Sequence, residues 1–144
     1  MVIVAALAVV AMPRLPVRGY AGYHTQQELL TALRYAQKTA VASGCPLEVE
    51  IDATADTYRV QFWNEGDTDS ACGSSGAPLV QPAGAGTLDN RTVEGDIQTG
   101  GHILIDRFGC PKAVNDFAQH AQLSVALNDG RQIIMEAHTG YIHD

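Results

Sequence analysis

Three kinds of side chain in this 144-residue sequence could do chemistry: five histidines, three cysteines and sixteen carboxylates. The histidines are His24, His102, His120, His138 and His143. None forms an H-x-x-x-H pair or stands beside a C-x-x-C, so no zinc site is expected. His138 and His143 flank a turn and read as surface residues. Gly73-Ser74-Ser75-Gly76 lies in coil, whereas a nucleophilic serine needs a strand-to-helix elbow. There is no P-loop and no G-x-G-x-x-G after a strand. Glu65, Asp67 and Asp69 alternate in EGDTDS and offer hard oxygen ligands, a weak calcium candidate. That stretch lacks the glutamate that closes an EF-hand loop, and its plain reading is a solvated acidic turn. Nothing else calls for a metal or cofactor, and no catalytic set emerges.

The cysteines are Cys45, Cys72 and Cys110. An odd count leaves at least one thiol, and three single pairings are possible. Cys45 begins a strand, and the hairpin that follows returns the chain near Asn64. Cys72 comes eight residues later in coil and can reach back. Cys45–Cys72 is therefore the favoured pair, with no disulfide as the alternative. Cys110 stands apart in a Gly-Cys-Pro turn.

The elements that would position these groups are legible in the periodicity. Residues 24–43 predict a helix. Thr25 and Glu28 have the spacing of a capping box. Leu29, Leu33, Ala36 and Ala40 recur at helical spacing and form its packing stripe. Gly44 suits the left-handed position after a helix, and Pro46 forbids continuation. Beyond Pro46 the period changes to two. Leu47, Val49 and Ile51 alternate with acids, and Tyr58, Val60 and Phe62 alternate with Arg59, Gln61 and Trp63, giving two strands joined by a short turn. Residues 64–90 are rich in Gly, Ser, Pro and Asp and predict a long loop with an apolar island at Leu79–Val80. Strand signals return at His102–Arg107, Gln122–Leu127 and Arg131–Ala137, with a short terminal strand at Tyr141–Ile142. Asn128-Asp129-Gly130 fits a three-residue hairpin loop. The class is α+β, a long helix against an antiparallel β body.

Met1 to Met12 carries no charged side chain. A membrane-spanning helix needs about 20 apolar residues, so this run is too short alone. It suits the later part of a membrane segment. Residues 1–40 hold four cations and one acid, while the rest holds five cations and fifteen acids. The net charge of −7 excludes an extended phosphate-binding footprint.

Four segments, in this order, resemble the GspH/FimT family of minor pseudopilins, type IV pilin-like proteins similar to the minor pilins of mannose-sensitive haemagglutinin (MSHA) pili. VAALAVVAMPRL is similar to the later half of the prepilin apolar helix with its proline. ELLTALRYAQKTAVASGCPLEVEI is similar to the family's helix and first strand. IDRFGCP resembles its phenylalanine-glycine-x-proline turn, and IIMEAHTGYIHD its closing strand. The resemblance implies a pilin fold: residues 1–23 as apolar segment and stem, and residues 24–144 as a globular head with the helix packed on an antiparallel sheet or sandwich. It assigns Val4, Leu7, Val10 and Pro13 to the part that enters the membrane and then the filament. The family also carries a basic leader, a glycine before the peptidase cut and F-T-L-x-E-L. These are missing here, so a truncated or late-assigned start is expected.

The implied function is structural: a minor subunit of a type II secretion pseudopilus or a type IV pilus. It would be stored in the inner membrane with a periplasmic head, then assembled with other pilins on a membrane platform. A periplasmic head favours disulfides. The alternative is a pilus-borne binding module, an adhesin or DNA-uptake pilin. The acidic body and an ending without arginine argue against nucleic acid. A secreted β-sandwich hydrolase needs a convergent catalytic set that the sequence does not show.

Overall fold

The computed structural model describes residues 17–63, 72, 74–81 and 86–144. The apolar residues Val4, Leu7, Val10 and Pro13 lie outside the described residues, as do Glu65, Asp67 and Asp69.

Helix α1 runs from Val17 to Ser43, starting earlier than its sequence signature. The cause is tertiary. Gly19 and Gly22 weaken a helix intrinsically. Yet Ala21 and Gly22 line a crevice with Glu94–Asp96 and Leu127–Asp129, and packing there extends the helix. A Cβ on Gly22 would run into the Asp129 carboxylate, which would have to swing aside, so glycine lets the two stand as close as they do. Thr25 is consequently not a cap. Its hydroxyl is fully buried in mid-helix and accepts the Gly95 N–H at 2.8 Å. Glu28 likewise turns outward from the helix backbone and accepts the Tyr58 hydroxyl at 3.0 Å. The helix ends at Gly44, whose φ of 71° satisfies the left-handed C′ position.

Among the described residues ten strands follow: β1 Leu47–Asp52, β2 Thr57–Phe62, β3 Arg91–Thr92, β4 Ile97–Thr99, β5 Gly101–Ile105, β6 Pro111–Ala113, β7 Asp116–His120, β8 Leu123–Leu127, β9 Gln132–Met135 and β10 Ile142–His143. They form a six-stranded sheet, β3-β2-β1-β5-β6-β7, and a four-stranded sheet, β10-β9-β8-β4. All pairings are antiparallel. The architecture is one helix packed on two antiparallel sheets, α+β as the periodicity requires.

Helix α1 contacts β1 and β5 of the large sheet and β9 and β10 of the small one. Leu29, Leu33, Ala36 and Ala40 are at most 1% exposed and join Leu47, Val49 and Ile51 in one core. Burying each such leucine contributes about 1.5–3 kcal/mol. The loop before β3 is partly strapped down. Leu79 donates to the Val60 carbonyl, and Val60 donates to the Leu88 carbonyl. Leu79 and Leu88 are both buried.

The strand reading needs correction at Asp106-Arg107. The strand from His102 stops at Ile105 because the Asp106 carboxylate accepts the N–H groups of Phe108 and Cys110, at 2.9 and 2.8 Å, and turns the chain. The β6–β7 hairpin has no signature in the sequence, since β7 has no fully buried residue and no period-two pattern. What holds it is partly aromatic. Phe117 of β7 stacks on Trp63, just beyond β2, with ring centroids 5.0 Å apart. β2 and β7 lie on opposite sides of β1 and β5, so the sheet must coil for these rings to meet.

Candidate functional site

Among the described residues, the chemistry-bearing side chains do not converge. His102 bonds Glu48 at 2.6 Å on the six-stranded sheet. His143 bonds Glu136 at 3.1 Å. His120 and His138 lie 4.9 Å apart by ring centroid. His120 Nδ1 is 2.9 Å from the Ala137 carbonyl, so Nδ1 carries the proton and donates. Its Nε2 then accepts from Lys112 Nζ at 3.2 Å. Each ring nitrogen of His120 is thus engaged by the protein. Among the described residues no group of three or more His, Cys, Asp or Glu is placed to hold a metal ion.

Cys45 and Cys72 form a disulfide, with Cα atoms 5.3 Å apart. It ties the segment leaving β2 to the junction between α1 and β1. Cys110 is a free thiol. It lies 3.4 Å from the His138 carbonyl, and burial followed by the neighbouring Asp106 charge raises its pKa.

Two polar constellations on the helix matter more. The first is Glu28, Tyr58 and Arg91. Arg91 approaches Glu28 at 3.9 Å, and the three border an open groove of about 550 Å³. Burial, and then the Glu28 carboxylate, push the Tyr58 phenol up to about 12, while Arg91 pulls it the other way. Nearby, the Tyr35 hydroxyl donates to the Val80 carbonyl at 2.8 Å and pins the strap to the helix.

The second is Gln37. Its side-chain amide donates to the Gly109 carbonyl at 2.9 Å and to the Gly140 carbonyl at 2.8 Å. One residue therefore clamps both the β5–β6 turn and the β9–β10 turn to the helix. Gly140 has φ of 65°, and a Cβ there would press on the Gly109 carbonyl and on Gln37 Nε2, 2.7 Å away. Glycine is required twice over at this position.

Together these bonds cross-tie the long helix to both sheets and their connecting loops through Thr25, Glu28, Tyr35 and Gln37. A family model described as type II transport protein GspH matches residues 25–137, from mid-helix to just beyond β9. The chain belongs to the GspH family. No curated protein and no solved structure matches it. The GspH match covers the helix stripe Leu29, Leu33, Ala36 and Ala40, the disulfide, and Gln37 with its partner Gly109 but not its partner Gly140. Among the described residues of this GspH-family chain, no helix is long and apolar enough to cross a membrane.

By sequence alone Gln37 falls among the polar residues of the helix, and nothing there marks a role for it. The signal available was local: a glutamine three residues from Arg34 and one from Lys38 looks like any solvated position. Its partners are backbone carbonyls 72 and 103 residues away, which side-chain patterns do not encode.

Proposed function

We propose that this GspH-family chain is a non-catalytic minor subunit of a type II secretion pseudopilus. Its apolar segment, with Val4, Leu7, Val10 and Pro13, holds it in the inner membrane and later packs among the helices of other pseudopilins. Its head stands in the periplasm. The observation that carries this reading is the GspH family match from residue 25 to 137. The physical logic agrees with it. Lipid solvates an apolar stripe before assembly, and neighbouring helices replace lipid afterwards through close packing. A periplasmic head is also consistent with a disulfide between Cys45 and Cys72. Nucleic-acid capture by a pilus is disfavoured by the net charge of −7.

The test is a photo-reactive amino acid at Val10 in the full chain, expressed beside the secretion machinery. Adducts with other pilin-like subunits in the inner-membrane fraction are expected. Recovery of the chain only as a soluble, uncross-linked periplasmic protein would overturn the reading.

A further inference from the structure

Two oppositely charged side chains are buried where β5 turns into β6. Those of Asp106 and Lys112 are only 9% and 12% exposed, yet they make no close ion pair. Lys112 Nζ stands 3.8 Å from Asp106 Oδ2, beyond hydrogen-bond reach. It donates instead to His120 Nε2 at 3.2 Å. Asp106 Oδ1, by contrast, accepts two backbone N–H groups, of Phe108 at 2.9 Å and of Cys110 at 2.8 Å. His120 is held from behind, with its Nδ1–H on the Ala137 carbonyl at 2.9 Å. The three side chains thus stand in series, carboxylate then ammonium then imidazole.

One reaction uses every part of this series: condensation of a carboxyl group with an amine. It needs an amine held beside an acyl carbon and a base for the amine's protons. It also needs donors aimed at the oxygen that turns negative. Asp106 and Lys112 supply the reactants, His120 Nε2 the base, and the Phe108 and Cys110 N–H groups the donors. The long, flexible lysine stem can close the remaining gap. Two buried charges carry a desolvation cost, and an amide removes both of them.

We propose that Asp106 and Lys112 condense into a side-chain amide that covalently closes the β5–β6 turn. The Lys112 ammonium passes one proton to Asp106 Oδ2, leaving a neutral amine and a neutral acid. The amine lone pair attacks Cγ and the new C–N bond forms. The electron pair of the Cγ=Oδ1 bond moves onto Oδ1, where the two backbone N–H groups hold the charge. His120 Nε2 takes a second proton from Nζ and delivers it to Oδ2. The Cγ–Oδ2 bond then breaks, Oδ2 leaves as water with both protons, and the carbonyl re-forms at Oδ1. One ammonium and one carboxylate become one amide and one water, with nothing oxidised or reduced. The chain reacts with itself once and needs no partner subunit, so the cross-link stands or falls apart from the pseudopilin reading.

The bond has a structural use. Arg107 and Phe108 are exposed at the tip of this turn, where backbone cleavage concentrates. The same turn carries the Gly109 carbonyl that Gln37 holds. A bridge from Asp106 to Lys112 keeps the turn closed even if the backbone between them is cut.

The test purifies the full chain in detergent, reduces and unfolds it, and weighs it by mass spectrometry. The native chain should be one water lighter than its sequence requires. Lys112→Arg keeps the charge but removes the nucleophile, and that chain should have its full mass. Trypsin should cut after Arg107 but not after Lys112, and residues 92–107 and 108–131 should stay joined, with fragment-ion sequencing placing the branch at Lys112. His120→Gln can accept the lysine's hydrogen bond but cannot carry its proton. It should slow the loss of water after a pulse of synthesis by at least about 100-fold. Circular dichroism checks that both variants are folded. A native chain of full mass, cut by trypsin after Lys112, would overturn the proposal. So would a water loss that persists in the Lys112→Arg chain, which marks a cyclic imide at an aspartate, or a His120→Gln chain that closes as fast as the native one.

Discussion

Replacing Gln37 by glutamate exchanges one amide for a carboxylate of nearly the same shape. In the native chain the amide donates to two carbonyls, of Gly109 and Gly140. Glutamate at neutral pH has no hydrogen to donate and turns negative oxygens toward both acceptors. Each lost bond is worth about 0.5–1.5 kcal/mol, and each acceptor left dry costs about 1–3 kcal/mol more. The site is only partly buried, so water relieves part of that cost. A loss of about 3 kcal/mol at pH 7 results, about 10 °C in Tm for a chain of this size. The loss should depend on pH. A protonated glutamic acid keeps one O–H and can serve one carbonyl, so the fold favours its neutral form. Its folded pKa then lies above the unfolded value of about 4.3. Stability is lost as pH rises through the folded pKa, and the gap to the native chain narrows below about pH 4. Urea unfolding at both pH values measures it. The exposed neighbour change Lys38→Ala, expected within about 0.5 kcal/mol of the native chain, is the control. A Q37E chain equal to the native one at pH 7, or a gap of the same size at both pH values, would refute the clamp.

Three further outcomes are expected. Changing Cys45 and Cys72 together to serine frees a loop of 27-residue separation, which the loop-entropy model values at about 3.5 kcal/mol; peptide mapping without reductant should find that pair joined and Cys110 alone alkylated, and a Cys45–Cys110 peptide would exclude it. Leu33→Ala, at a site 1% exposed, should cost about 2–5 kcal/mol, and Leu33→Asp should abolish folding; a normally stable Leu33→Asp chain would mean the stripe faces elsewhere. Because the Tyr58 pKa is raised to about 12, the stability its protonated phenol contributes is complete below the unfolded value of about 10 and is lost as pH rises toward 12. Tyr58→Phe should remove that loss and the late step in an ultraviolet titration, whereas five tyrosines titrating together near pH 10 would contradict it.

Local patterns in the sequence determine the helix stripe, the first β-hairpin and the Asn128–Gly130 turn. Each is a matter of spacing: leucines and alanines at helical intervals, valines and isoleucines at every second position, and glycine where φ is 88°. Those signals act over a few residues, so they survive without knowledge of the fold. Tertiary structure alone decides the rest. Thr25 and Glu28 have the spacing of a helix cap, but Gly95 and Tyr58 claim them from 70 and 30 residues away. The β6–β7 hairpin has no apolar alternation, and part of its support is the Trp63 ring reached by coiling of the sheet. Gln37 reads as a solvent-facing residue until two distant turns bring their carbonyls to it. Periodicity records which side of an element is buried; it does not record which backbone group, from another part of the chain, will arrive there needing a partner.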